Sequence, residues 1–277
     1  MSNRILSTIL LLQVVIPLHG QPQLPDVANS EDVRTHLPFG FPGTHGQLLD
    51  RGYYVVSYRT EGKVPEWTAY RLLKKDLVNR ATRTDDFRPD TGLPEQERAE
   101  NKDYNRTGYA RGHMSPADDF TRGLRAMSST FLLSNMAPQH GSLNSGKWRS
   151  LEGNAQSVAR TLDTCWILTG TIFNKAISRP RTLGTKPDGS QRVIGKGKVW
   201  VPTHFYKIVA AHDVDGSVLV WAFMMPHRNT KLPGKVVDFA VSVDTIERLT
   251  ELDFFPDLPD DLESRIEGVV NTIWPIK

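Results

Sequence analysis

Apolar positions along the chain change their spacing several times, and each change marks an element. YYVVSY (53–58) and WTAYRL (67–72) are short runs rich in aromatic and β-branched residues and predict strands. Between Ser145 and Leu162 the spacing lengthens. Trp148, Leu151, Ala155, Val158, Ala159 and Leu162 recur at steps of three and four, which predicts a helix with one apolar face. Three β-rich runs follow, TCWILTGTIF, KVWVPTHFYKIVAA and SVLVWAFMMP, parted by the turn-rich PDGSQ and DVDGS. DFAVSVDTIERLTELDFF predicts a strand end feeding a short helix. Residues 73–108 are charged and broken by Pro89, Gly92 and Pro94, which predicts a long surface loop. Residues 21–49 show no period and predict an extended lead-in. The whole predicts one α+β domain over residues 50–277, with no internal repeat.

The first twenty residues stand apart. Arg4 precedes an apolar run from Ile5 to Pro17, and Gly20 suits a cleavage site. That predicts a signal peptide over residues 1–20 and a secreted or periplasmic protein, with an uncleaved anchor as the rival. Net charge is +3, which permits a polyanionic partner without demanding one. The single cysteine, Cys165, excludes an intrachain disulfide and a cysteine-based zinc site; its apolar surroundings predict an inert buried thiol.

Residues 141–148, GSLNSGKW, imitate a phosphate-binding loop, G-x-x-x-x-G-K-[ST]. The last position is Trp148, whose indole has no lone pair for a magnesium ion. The preceding SNMAPQH holds a proline and shows no strand pattern, so a phosphate loop is disfavoured. A phosphohydrolase dependent on Lys147 stays as a rival reading.

A different set of residues carries the chemistry. YARGHMSPADDF (109–120) contains His113; LSN (133–135) follows, then Asn144, Trp148 and Glu152 around the start of one helix. An imidazole is the side chain suited to act as general base near neutral pH. A carboxamide oxygen at 144 suits a hard cation. Glu152 stands eight residues on, ~12 Å further along the helix axis, and reaches such a cation through water. Each residue also has a plain structural reading: His113 as a core histidine, Asn144 as a helix N-cap, Glu152 as a solvated carboxylate, Trp148 as core. His140, His204, His212 and His227 share no metal-ligand spacing. Lys196 and Lys198 fit either a nucleic-acid backbone contact or a solvated hairpin. The sequon at Asn105 lies too near His113 to carry a glycan comfortably.

DFRPD, DYNRTGYARGHMSPADDF, FLLSNMAPQHGSLNSGKWRSLE, LTGTIF, VPTHFYKIV and FAVSVDTIERLTELDFF occur in this order. Together they resemble the DNA/RNA non-specific endonuclease family over roughly residues 50–258. The resemblance implies a central, largely antiparallel sheet with flanking helices and a ββα-metal (His-Me) finger. It implies one divalent ion, usually Mg²⁺ with Mn²⁺ able to serve, and internal cleavage of DNA and RNA to 5′-phosphates. Carried over by position, His113 is the base, Asn144 the direct metal ligand and Glu152 the carboxylate holding metal-bound water. Asn135 braces the site beside the substrate. Arg111 contacts phosphate or holds the local turn. An upstream arginine grips the phosphate, with Arg88 the first choice, Arg83 the second and Arg71 the third. The family motif has Asp-Arg-Gly-His, whereas this chain has Ala110 in place of the Asp, a loss that Asp118 or Asp119 partly offsets. The alternative is therefore a catalytically weakened nucleic-acid-binding protein on the same fold.

Overall fold

The computed structural model describes residues 31–174 and 182–274, so the predicted signal segment lies outside the described residues. Among the described residues the α-helices, in chain order, are α1 Glu31–His36, α2 Asn101–Tyr104, α3 Leu124–Ser129, α4 Arg149–Leu162, α5 Val243–Thr250 and α6 Asp260–Glu267. The strands are β1 Gln47–Asp50, β2 Val55–Arg59, β3 Val64–Leu73, β4 Tyr109–His113, β5 Met136–His140, β6 Thr164–Ile172, β7 Val193–Ile194, β8 Val199–Trp200, β9 His204–His212, β10 Val218–Pro226 and β11 Ala240–Val241. Seven form one sheet in the order β1-β2-β3-β6-β9-β10-β11, antiparallel at every pairing. The α+β class and the antiparallel sheet are as expected.

Central strands show why their sequences are apolar almost throughout. In β9, Phe205, Val209 and Ala211 face one core, while Tyr206, Ile208 and Ala210 face the other. β6 divides in the same way, with Ile167 on one side and Leu168 on the other. Each strand is covered on both faces, so alternation of side-chain direction does not appear as alternation of polarity. The front core takes Trp148, Leu151, Ala155 and Val158 from α4 and its approach. The rear core takes Val33, Leu37, Phe39, Val243, Ile246 and Phe254.

Several expectations are corrected. The lead-in is not featureless: within residues 31–49 lie α1 and most of β1, and Val33, Leu37 and Phe39 are buried against the rear of the sheet. Six-residue helices bury too few apolar groups to show a clear period. The run SNMAPQH does contain a strand, β5, pairing with β4 from Tyr109↔His140 to His113↔Met136. A two-stranded ribbon leaves one edge of each strand without a ladder, and there a proline is tolerated. The ribbon is antiparallel, so the phosphate-loop context fails for a new reason, and Lys147 spends its ammonium on the Gly234 carbonyl. The helix predicted from Ser145 begins regularly at Arg149, after a widened π-type turn over Leu143–Trp148 with Gly146 at φ −103°, ψ −117°. The charged segment 73–108 includes α2 and buries Asp90, Leu93, Asp103 and Tyr104. Asp103 explains GKGK: its carboxylate takes the Gly197 N–H at 2.7 Å, and a Cβ at Gly195 would stand 2.4 Å from the Asp103 Cα. Lys196 and Lys198 are left exposed on the β7–β8 hairpin.

Candidate active site

β4, β5 and α4 follow one another as a ββα unit, with the front core behind them. Tyr109, Arg111 and His113 alternate along one face of β4, and Ala110 and Gly112 along the other. At the strand's end His113 is 9 % exposed. Phe131 meets its ring edge-on at 5.0 Å and Phe87 at 5.7 Å. The His113 Nε2 is closed off and has no hydrogen-bond partner among the described residues. Burial, and after it the charge of Arg83, lowers the imidazole pKa from 6.5 to about 3. The ring is therefore neutral at pH 7, with a nitrogen free of protein partners.

Asn135 holds this strand end in place. Its Oδ1 accepts from the Ser115 N–H at 2.9 Å, and its Nδ2 donates to the carbonyls of Ser115 and Thr130 at 2.9 and 2.8 Å. Its own carbonyl accepts from Met114 N–H at 3.0 Å. The amide is saturated and fully buried. Asn135, expected to brace the site beside the substrate, has its side chain occupied by these protein bonds.

Asn144 lies in the widened turn between β5 and α4, half-buried. It caps nothing: no capping bond closes that turn, and its carboxamide has no hydrogen-bond partner among the described residues. Glu152 is on the first turn of α4, also half-buried. Burial raises its pKa from 4.5 to about 8; Lys207 opposes the shift, and Asp119 and Asp118 add to it. Gln156, one turn further, donates to Asp119 Oδ1 at 2.7 Å, and Tyr70 donates its hydroxyl to Asp119 Oδ2 at 2.5 Å. Asp119 follows β4 by six positions, so this bond fastens α4 to the segment leaving His113.

Lys207 was not foreseen. It sits on β9, fully buried, with Nζ donating to Thr169 Oγ1 at 2.5 Å and lying 5.2 Å from the Trp148 ring centre. Burial lowers its pKa, while Glu152 and Asp119 pull it back. A lone ammonium inside HFYKIVAA was the available signal, because a charge in a strand covered on both faces requires a partner. Trp148 is core, as expected.

The upstream arginines separate clearly. Arg88, the first choice, donates to the Asp86 carboxylate at 2.7 Å and to the Ser128 carbonyl at 2.9 Å, and its backbone bridges to Leu132. Arg71 lies beside His36, whose Nδ1 accepts the Arg71 N–H. Arg83 lies over Phe131 at 4.9 Å, and it is the arginine whose charge reaches His113. Its Nε holds Asp85, which leaves the fork ends available. Arg111 points from β4 to the Asn101 carbonyl and Asn105 Oδ1, with its guanidinium over Phe87 and Tyr104. Arg83 is thus the candidate whose charge reaches His113, while Arg88 and Arg111 are held by protein partners.

Residues 32–261 match the DNA/RNA non-specific endonuclease family. The chain belongs to that family. Its class is therefore nuclease, a hydrolase of phosphodiester bonds. It is 35 % identical to Nuclease C1 of Cunninghamella echinulata var. echinulata over 83 % of this chain and 90 % of that one. Bovine mitochondrial Endonuclease G is 32 % identical, covering 86 % of this chain and 79 % of that one. Zebrafish mitochondrial Nuclease EXOG is 35 % identical over 79 % of this chain, which spans only 64 % of that relative. A solved EndoG in complex with EndoGI superposes with a TM-score of 0.73 at 28 % identity, over 84 % of this chain and 94 % of that one.

Within the DNA/RNA non-specific endonuclease family motif, Ala110 stands on the face of β4 opposite His113, so its methyl group is not in the way of the base. It pairs with Gln139, whose buried amide has no partner at either atom. The same amide explains Gly112: a Cβ there would lie 2.5 Å from Gln139 Oε1. Among the other histidines, His227 is buried and accepts the His140 N–H at 2.8 Å, a structural role.

Proposed function

We propose that this chain is a divalent-metal-dependent endonuclease that cleaves DNA and RNA internally, with His113 as general base. The observation that carries the reading is the neutral, buried imidazole whose Nε2 lacks a protein partner. Fit to a metal rests on the donors: Asn144 offers a free carboxamide oxygen, and Glu152 is a carboxylate without a hydrogen bond. Asp118 and Asp119 lend the place negative potential. One amide oxygen and a carboxylate reaching through water suit Mg²⁺, which keeps much of its hydration; Mn²⁺ has the same preference for oxygen. Bound there, such an ion would neutralise charge on the phosphate and favour departure of the 3′ oxygen.

The chain's own groups divide the remaining work. His113 takes the proton from a water approaching phosphorus in line, and burial keeps the ring unprotonated until then. Arg83, beside the base, presents its guanidinium to the phosphoryl oxygens as their charge grows. Lys207 and Asp119 surround the Glu152 carboxylate, and Gln156 ties Asp119 to α4. Contacts made to phosphate rather than base edges account for weak sequence preference. The N-terminal segment supports export, to the medium or the periplasm.

Plasmid nicking by the purified chain tests the reading. Expected is Mg²⁺-dependent cleavage of plasmid and of RNA, abolished by chelator and by His113→Ala. Salt-sensitive DNA binding without turnover would favour the weakened-enzyme reading that Ala110 and the unpartnered Gln139 amide keep in play.

A further inference from the structure

Behind the sheet, away from His113, α5 and α6 bring five carboxylates together. Asp244 and Glu247 share one face of α5, Glu263 and Glu267 share one face of α6, and Asp253 lies on the connection between the helices. One ligand-capable oxygen each from Asp244, Glu247 and Glu267 lies within 4.8 Å of the others, and the same holds for Asp253, Glu263 and Glu267. Among the described residues none of the five makes an ion pair, although nine such pairs hold other acids there.

Glu267 belongs to both groups and is the decisive member. It is only 7 % exposed, and its Oε1 is closed to solvent without a donor. A buried carboxylate oxygen among further carboxylates that meets no cation or N–H is costly, and the hydrogen bond between the Glu267 and Glu247 carboxyls eases this only where one of them carries a proton. Burial, and then the charges of Glu247, Glu263 and Asp253, pushes its pKa up to about 8. The number of oxygens indicates what would satisfy it. Ca²⁺ takes about six to eight oxygen ligands in flexible geometry, several carboxylates among them, whereas Mg²⁺ keeps several waters and binds through about one or two carboxylates.

We propose that Asp244, Glu247, Asp253, Glu263 and Glu267 form a second cation site, for Ca²⁺, that clasps α5 to α6. It is separate from the nuclease centre and acts on stability. Val243 and Ile246 beside it are part of the rear core, with Phe254 and Phe255 just after Asp253. A cation drawing the two helices together therefore tightens the whole rear layer.

The test is thermal unfolding and calorimetric Ca²⁺ titration of the full chain carrying Asn144→Ala, so that the proposed catalytic site is removed from the count. Expected is a rise in Tm of about 5–10 °C at a hundredfold excess of Ca²⁺ over its Kd. Glu267→Gln should abolish the rise. In EDTA this variant should melt no lower than its parent, because the amide carries no charge and can still donate to Glu247. The more exposed pair Asp244→Asn/Glu263→Gln should weaken Ca²⁺ binding at least tenfold while leaving the EDTA melt unchanged, which guards against a Glu267 variant that folds poorly. No shift up to about 10 mM Ca²⁺, above the weakest ~10⁻³ M sites of this kind, overturns the proposal. So does a shift that survives in these variants. A melt that rises on acidification from pH 8 to 6 while Ca²⁺ adds nothing at pH 8 also overturns it, because shared protons then hold the cluster. Loss of nuclease activity in Asn144→Ala leaves the Ca²⁺ result standing, so the two readings fail separately.

Discussion

The front and rear layers of the sheet are built on the same strands but finished differently. The front holds polar groups without a hydrogen-bond partner among the described residues: His113 Nε2, the Asn144 carboxamide and the Glu152 carboxyl. Around them the framework is closed, with Asn135 saturated, Asp119 bonded to Tyr70 and Gln156, and Arg88 tied to Asp86 and Ser128. The rear is mostly hydrocarbon, interrupted by one carboxylate cluster between α5 and α6. Unpartnered groups held by saturated neighbours are what the proposed function rests on. No histidine or arginine is ion-paired with the rear cluster among the described residues.

The contrast within the front layer is sharpest at His113 and the arginines. His113→Ala should lower kcat by about 10²–10⁴-fold while DNA binding under non-turnover conditions persists. A loss of binding equal to the loss of rate would make the residue structural. Arg83→Ala should cost about 10²-fold in kcat/KM. Arg88→Ala should leave the rate within about threefold and show itself in a lower Tm through its lost carbonyl and carboxylate bonds. The opposite ranking would restore Arg88 as the phosphate ligand.

Lys207 joins the sheet to α4 on the front side, reaching from a central strand toward Glu152. Lys207→Met should raise the Mg²⁺ concentration for half-maximal activity about 10–100-fold, with kcat recovering at high Mg²⁺. A kcat defect that excess Mg²⁺ does not relieve would break the connection.

Acid stability separates buried from exposed histidines. His36, His113 and His227 have pKa values of about 4, 3 and 4, lowered from 6.5 chiefly by burial. The unfolded chain accepts protons that the folded chain refuses, so stability is complete above about pH 6.5 and declines as pH falls toward 4. His113→Gln removes one of these protons and should flatten the dependence by up to about 1.4 kcal/mol per pH unit in denaturant titrations. An unchanged slope would place the ring in water.

The smallest effect is expected at Ala110. Ala110→Asp sets an acceptor opposite the unpartnered Gln139 amide and should stabilise the chain by about 1 kcal/mol, with little change in rate. Cleavage that appears only in this variant would instead identify the natural chain as the weakened form.

The period of α4 was legible because its apolar face is continuous, and the strands because β-branched and aromatic residues cluster in them. His113, Asn144 and Glu152 stood out through their spacing within known blocks. The order of the arginines was not legible. Arg71, Arg83 and Arg88 lie within seventeen positions of one another, and only the path of the segment after β3 decides which of them approaches Phe131 and His113. α1 and β1 were likewise hidden, since elements of six and four residues declare themselves only through the rear core they cover. The acid cluster depends on α6 returning beside α5, which no local pattern specifies. Residue type and spacing follow the chain and state which chemistry is available. Which groups meet, and which are left without a partner, depends on burial between segments distant in sequence, and burial is a property of the folded whole.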